Sequence, residues 1–155
     1  MYKNSKIFIT FLSVALFLMM YSYDKGQKQI SERKDDYTAY AKAELSINQG
    51  KKIESSLKTI EKLEKKYIKT DQFELSKVQA YALMGQFDKA EKSVKEAIRL
   101  NKKLENDVNL LLIYADVCIN NKDNDKANQI LEKIKNLEKN EEQQKKFDKL
   151  NEEMK

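Results

Sequence analysis

Residues 77–100 constrain the fold of this chain more than any other stretch, because they predict two helices joined by a tight turn. Gly85 and Gln86 interrupt the apolar pattern, and Asp88 suits the first turn of a second helix. Small residues recur where the two helices would approach closely, at Ala80, Ala90 and Ala97. A hairpin of this kind leaves an apolar face uncovered, so we expect further helices to pack on it.

The rest of the chain favours the same structure. Its 155 residues include no proline and only three glycines, which is typical of an all-α domain with short turns. Apolar residues at helical spacing predict helices at 37–48, 52–66, 72–84, 87–100, 108–120, 126–139 and 141–154. We expect Gly50 to form a left-handed C-terminal cap, Asp107 to cap the helix from residue 108, and Cys118 to lie in the core.

The N-terminal segment 7–23 is apolar and carries no charge over 17 residues. A helix of that length spans about 25 Å, the short end of what crosses a bilayer. No pair of small residues suitable for signal-peptide cleavage follows Leu18, so the segment predicts an uncleaved, single-pass signal-anchor. A cleaved signal peptide, which would give a secreted protein, is the alternative.

The anchor prediction divides the chain into a cytoplasmic tail (1–6), a transmembrane helix (7–23), a juxtamembrane linker (24–36) and a helical domain (37–155). The Lys/Arg count on the two sides of the anchor slightly favours the opposite orientation. Long domains, however, translocate largely regardless of charge. We therefore expect residues 37–155 at the outer face of the cytoplasmic membrane of a bacterial cell.

Charge and composition argue against several classes of function. The net charge is +5, but lysines and glutamates alternate, as on solvated helix faces, which argues against a nucleic-acid-binding patch. The chain has no histidine and one cysteine, and it lacks a glycine-rich phosphate loop and metal-ligand spacing. We expect no enzymatic activity, no cofactor, no bound metal and no small-molecule substrate.

A repeat of 34 to 37 residues runs through the helical part. Ser56, Ala90 and Ala127 each lie early in a second helix, at successive spacings of 34 and 37. Apolar or small residues follow each of them four and seven positions later, at Ile60, Val94, Leu131, Leu63, Ala97 and Ile134. Period and pattern together predict stacked helical hairpins, and an ordinary helical bundle is the alternative.

This pattern resembles the tetratricopeptide repeat (TPR), and the central unit carries most of the resemblance. Tyr81 matches the aromatic position of the first helix, Gly85 the turn and Phe87 the aromatic residue after it. Glu74 stands where the family has a bulky aromatic residue, and no closing proline follows. The resemblance implies a short α-solenoid of three hairpins, at 37–70, 71–104 and 108–141, and a capping helix at 141–154.

The resemblance also implies a groove lined by the first helix of each pair. The corresponding positions are Thr38, Ala41, Leu45, Asn48, Gln72, Leu75, Gln79, Ala82, Asn109, Leu112, Asp116 and Ile119. Amide and aliphatic side chains of this kind would suit a bound protein or peptide. We therefore expect a membrane-anchored adaptor or scaffold. The alternative is a structural subunit that assembles through its transmembrane helix.

Overall fold

The computed structural model describes the backbone of residues 2–154 and the side chains of residues 14–154. All regular structure in that part is helical, which confirms the all-α prediction. The helices are α1 (Tyr2–Asn48), α2 (Ile53–Lys66), α3 (Asp71–Leu83), α4 (Phe87–Leu100), α5 (Val108–Asn120), α6 (Asn124–Lys135) and α7 (Glu141–Glu153). A short 3-10 helix (Lys102–Asn106) joins α4 to α5.

Residues 1–39 form a unit of their own, which contains most of α1. The polar stretch 24–36, expected as a linker, is helical throughout. It contains no proline, and contacts one helical turn apart support it: Lys28 pairs with Asp24 at 3.1 Å, and the Thr38 hydroxyl donates to the Lys34 carbonyl at 2.8 Å.

The predicted membrane anchor falls only partly within the described residues, because the side chains of residues 1–13 lie outside them. Where side chains are described, no helix contains an apolar stretch long enough to cross a membrane. Large apolar residues of α1 from Val14 to Tyr23 are more than half exposed.

Residues 40–155 form the second unit, in which adjacent helices run in opposite directions. Tyr81 and Lys77 of α3 reach back to Glu61 and Glu64 of α2, at 3.0 Å in both cases. Asn101, which follows α4, donates to Asp71 at the start of α3 at 2.7 Å. These contacts bring the end of one helix beside the start of its neighbour, as the short connections predict.

Alternate helices of this unit run in the same direction. Hydrogen bonds between them join residues that are 32 to 36 positions apart in the chain. Tyr40 of α1 contacts Ser76 of α3, Glu91 of α4 contacts Lys126 of α6, and Asn109 of α5 contacts Gln143 of α7. Each pair of helices therefore stacks on the next, and equivalent contacts recur at a nearly constant separation along the chain.

The first helices of the pairs also end in the same way. The second residue after each helix has a positive φ: 66° at Gly50, 68° at Gly85 and 61° at Lys122. Its N–H, and the N–H of the next residue, bond back into the last turn of α1, α3 and α5. These two hydrogen bonds at each helix end satisfy carbonyls that would otherwise lack partners. The predicted cap at Gly50 is confirmed.

The core consists of two hydrophobic clusters. The larger has members on each helix from α3 through α7, among them Val94, Tyr114, Cys118 and Ile134. The expected burial of Cys118 is therefore confirmed. The smaller joins the end of α1 to α2 and α3. Its members are Ala43, Ile47, Leu57, Ile60 and Ala80.

Candidate functional site

The groove positions on the first helices of the second unit are mostly accessible to solvent. Ala41, Leu45, Asn48, Gln72 and Asn109 are exposed, and Leu75, Gln79, Ala82, Asp116 and Ile119 are partly buried. Spacings of three and four residues keep the members on each helix on one side of that helix. Leu112 differs, because it is only 4% exposed and belongs to the larger core cluster. Thr38 lies in the first unit, where it bonds to Lys34.

Tyr40 joins the groove helices α1 and α3. Its hydroxyl lies 2.9 Å from the Ser76 hydroxyl, and its ring meets Phe73 edge-on with the ring centroids 5.4 Å apart. Burial raises the pKa of Tyr40, although the Ser76 hydrogen bond opposes that rise. These contacts join α1 to α3, and Leu45, further along α1, is 57% exposed.

A cleft lies between α5 and α7, with a volume of about 420 Å³. Its lining residues are Asn109, Leu112, Ile113, Asp116, Lys146, Lys149 and Leu150. Gln143 bridges the two helices by donating to the Asn109 side chain at 3.0 Å. Three of the residues predicted for the third part of the groove, Asn109, Leu112 and Asp116, therefore line a cleft that α7 completes.

The contribution of α7 to this cleft was missing from the sequence-based prediction. Its apolar residues Phe147, Leu150 and Met154 indicated only a capping helix. Asn109 and Gln143 are 34 positions apart, so extending the repeat by one period would have placed α7 beside α5. The spacing was thus a usable signal for Lys146, Lys149 and Leu150.

Asp116 is the one acidic residue in the lining of the cleft. Burial and the nearby charge of Glu153 raise the pKa of its carboxyl group, while Lys149 and a hydrogen bond from Asn120 oppose that rise. Asn120 donates to one carboxylate oxygen at 3.0 Å. No lysine or arginine among residues 14–154 lies within ion-pair distance of Asp116.

A second polar feature, the Glu74 cluster, comprises Glu64, Lys69, Glu74, Lys77 and Glu96. Glu74 is 2% exposed, and it pairs with Lys77 at 2.8 Å and Lys69 at 2.9 Å. Burial raises the pKa of Glu74, but hydrogen bonds from the two lysines outweigh that effect and leave the pKa below its ordinary value. The cluster ties α2, α3 and α4 together.

Two lysines lie over tyrosine rings, one in the second pair of helices and one in the third. The Lys89 ammonium is 5.5 Å from the centroid of Tyr81, and the Lys126 ammonium is 5.2 Å from that of Tyr114. Burial and a hydrogen bond donated to Glu61 raise the pKa of Tyr81 to about 12. These groups are engaged in packing, which gives no indication of catalysis.

Comparisons with family models, with curated proteins and with solved structures found no match. Within residues 14–154, no group of three or more metal-binding side chains is arranged to hold an ion.

Proposed function

We propose that this chain is a membrane-anchored adaptor in which TPR-like helical pairs bind a protein or peptide along α1, α3 and α5. The observation that carries the proposal is the stacking of like-directed helices at separations of 32 to 36 residues. Hairpins stacked with constant displacement bring their first helices to one side, where they form an extended binding surface.

The chemistry of that surface supports a polypeptide partner. Leu45 and Ala41 supply exposed aliphatic groups, and Asn48, Gln72 and Gln79 supply amides that can donate to and accept from a main chain. A lining of mixed aliphatic and amide groups suits the alternating side chains and main-chain groups of a bound peptide.

The proposed anchor is the segment 7–23, which would make the protein single-pass with residues 37–155 outside the cytoplasmic membrane. Its described part exposes Phe17 (71%), Met19 (68%) and Met20 (73%). A continuous exposed apolar surface of this kind needs a lipid or protein partner. If the segment is cleaved, the protein is instead secreted.

The same apolar surface favours a second candidate function, in which residues 7–23 pair with another membrane protein and the helical domain shapes the assembly. Site-specific photo-crosslinking in membranes distinguishes the two. A crosslinker at Gln79 probes the groove, and one at the exposed Lys92 of α4 is the matched control.

The adaptor function predicts crosslinked partners at Gln79 but not at Lys92, and these partners persist when residues 7–23 are exchanged for an unrelated anchor. Equal crosslinking at both positions, or loss of all partners on anchor exchange, would refute it. Protease treatment of intact cells checks the orientation, because an external domain is digested before the membrane is opened.

A further inference from the structure

We infer that the cleft between α5 and α7 recognises a peptide segment in which an apolar side chain is followed by a lysine or arginine. The inference rests on the proposed function, because Asn109, Leu112 and Asp116 belong to the same groove. It adds the class of sequence that the groove selects.

The walls of the cleft provide the apolar part of the site. Leu112 and Leu150 come from facing helices and are 4% and 7% exposed, and Ile113 is partly buried beside them. The volume of about 420 Å³ is in the range of pockets that hold small groups. An aliphatic or aromatic side chain placed there would cover these three residues.

Asp116 provides the site for the cation. Its carboxylate is partly buried, and only one oxygen is engaged, by Asn120 at 3.0 Å. A carboxylate taken out of water without a positive partner is unfavourable, so an incoming ammonium or guanidinium group gains more there than at an exposed acid.

The two lysines on the α7 side of the cleft do not form ion pairs with Asp116. Lys146 pairs with Glu142 at 2.8 Å and Lys149 with Glu153 at 3.4 Å, both on their own helix. Both lysine side chains are largely exposed to solvent, which screens their charges. Asp116 is partly buried, so its carboxylate is the least exposed charged group in the lining of the cleft.

The dimensions of the cleft set the length of the segment. Asn109 and Asp116 are two helical turns apart on α5, a rise of about 10.5 Å. An extended chain covers that distance in about three residues. A main-chain carbonyl can accept from the Asn109 amide, the next apolar side chain lies between Leu112 and Leu150, and the following cation reaches Asp116.

The test uses the full-length chain in detergent micelles and capped synthetic tripeptides, Gly-Leu-Lys and Gly-Leu-Glu. Binding is followed by NMR through the methyl groups of Leu112 and Leu150. The variants are Asp116→Asn and, as a control that removes the same charge elsewhere, Asp125→Asn on α6, where Asp125 is exposed.

We expect the lysine peptide to bind about fivefold more tightly than the glutamate peptide, as partly exposed ion pairs allow. Asp116→Asn should abolish that preference and Asp125→Asn should retain it. The carboxyl resonance of Asp116 should also titrate at lower pH when the lysine peptide is bound.

Equal binding of the two peptides in the cleft would overturn this inference and leave the proposed adaptor function intact. An absence of methyl shifts with either peptide would also overturn it. Failure of the adaptor function itself is seen separately, in the crosslinking experiment at Gln79.

Discussion

At the scale of single residues, Glu74 shows how a charged side chain can be buried between helices. It is 2% exposed, and two lysines contact its carboxylate. Glu64 and Glu96 in turn bind those lysines, Lys77 and Lys69, each at 3.0 Å. The pairing compensates for the loss of hydration, so the carboxylate remains ionised between the helices.

Glu74→Gln should lower the free energy of unfolding by about 2 kcal/mol, because it leaves Lys77, only 12% exposed, with one carboxylate partner fewer. Chemical denaturation followed by circular dichroism measures the change. Glu132→Gln is the control: its pair with Lys135 at 3.5 Å is on the surface and should contribute less than about 0.5 kcal/mol.

The same variant tests the acid dependence of stability. The pKa of Glu74 is lower in the folded state than in the unfolded chain, so its contribution is complete above the ordinary carboxyl pKa of about 4.3. It is lost as the pH falls through the folded-state value. The stability difference between wild type and Glu74→Gln should therefore shrink below about pH 4. A stability difference that stays constant below pH 4 would contradict a lowered pKa of Glu74 in the folded state.

At the scale of helices, the first helices of the three pairs share one type of C-terminal cap. α1, α3 and α5 end in the same left-handed cap, but the third carries a lysine where the other two carry glycine. A residue with a side chain in the left-handed region is less stable than glycine there by about 1 kcal/mol. Glycine offsets part of this advantage, because it loses more conformational freedom when the chain folds.

Lys122→Gly should accordingly stabilise the protein by about 0.5 kcal/mol. Gly85→Ala makes the reciprocal change, and it should destabilise by about 1 kcal/mol. An added Cβ at Gly85 meets no atom within 4 Å, so the effect there is purely conformational. Both variants are measured by denaturant unfolding, and a loss of stability in Lys122→Gly would show that the lysine makes an unrecognised favourable contact.

Most helix boundaries could be predicted from local sequence, whereas the burial of the ion pairs could not. The bounds of α4 and α5 agree with prediction, and the Asp107 side chain caps α5 by accepting from Leu110 N at 2.8 Å. Thr70 occupies the N-cap position of α3, but its side chain makes no capping bond. α6 ends at Lys135, four residues before the predicted end, because Asn136 and the residues after it form a turn.

For the candidate site, local sequence gives the helix face of a residue but not its burial. Spacing along α5 places Leu112 on the same face as Asn109 and Asp116, although Leu112 is buried. Its burial depends on α7, which begins 29 positions later in the chain. The burial of Glu74 was missed for a similar reason, since it depends on α2 and α4 packing against α3, although its partner Lys77 is only three positions away on the same helix.

At the scale of the whole described chain, burial is unevenly distributed over residues 40–154. The helix α5 buries seven residues, and the larger cluster extends around it on α4, α6 and α7. The smaller cluster has five buried members, on α1, α2 and α3. Because each pair contacts only its neighbours, the two ends of the stack can differ in stability.

Amide hydrogen exchange should therefore be slower in α5 than in α2, by at least about tenfold in protection. The comparison is made within one molecule by NMR or mass spectrometry, which removes differences in solution conditions. Equal protection of the two helices would mean that residues 40–154 open only as one cooperative unit.

The nearly constant chain separation between like-directed helices also limits how far apart in the sequence contacting residues lie. In the part of the second unit with described side chains, hydrogen bonds between side chains of different helices join residues no more than 36 positions apart. Chain closure over such distances has a small entropic penalty, and low contact order is associated with fast folding. Each hairpin can thus form soon after its residues are synthesised and serve as the template on which the next one assembles.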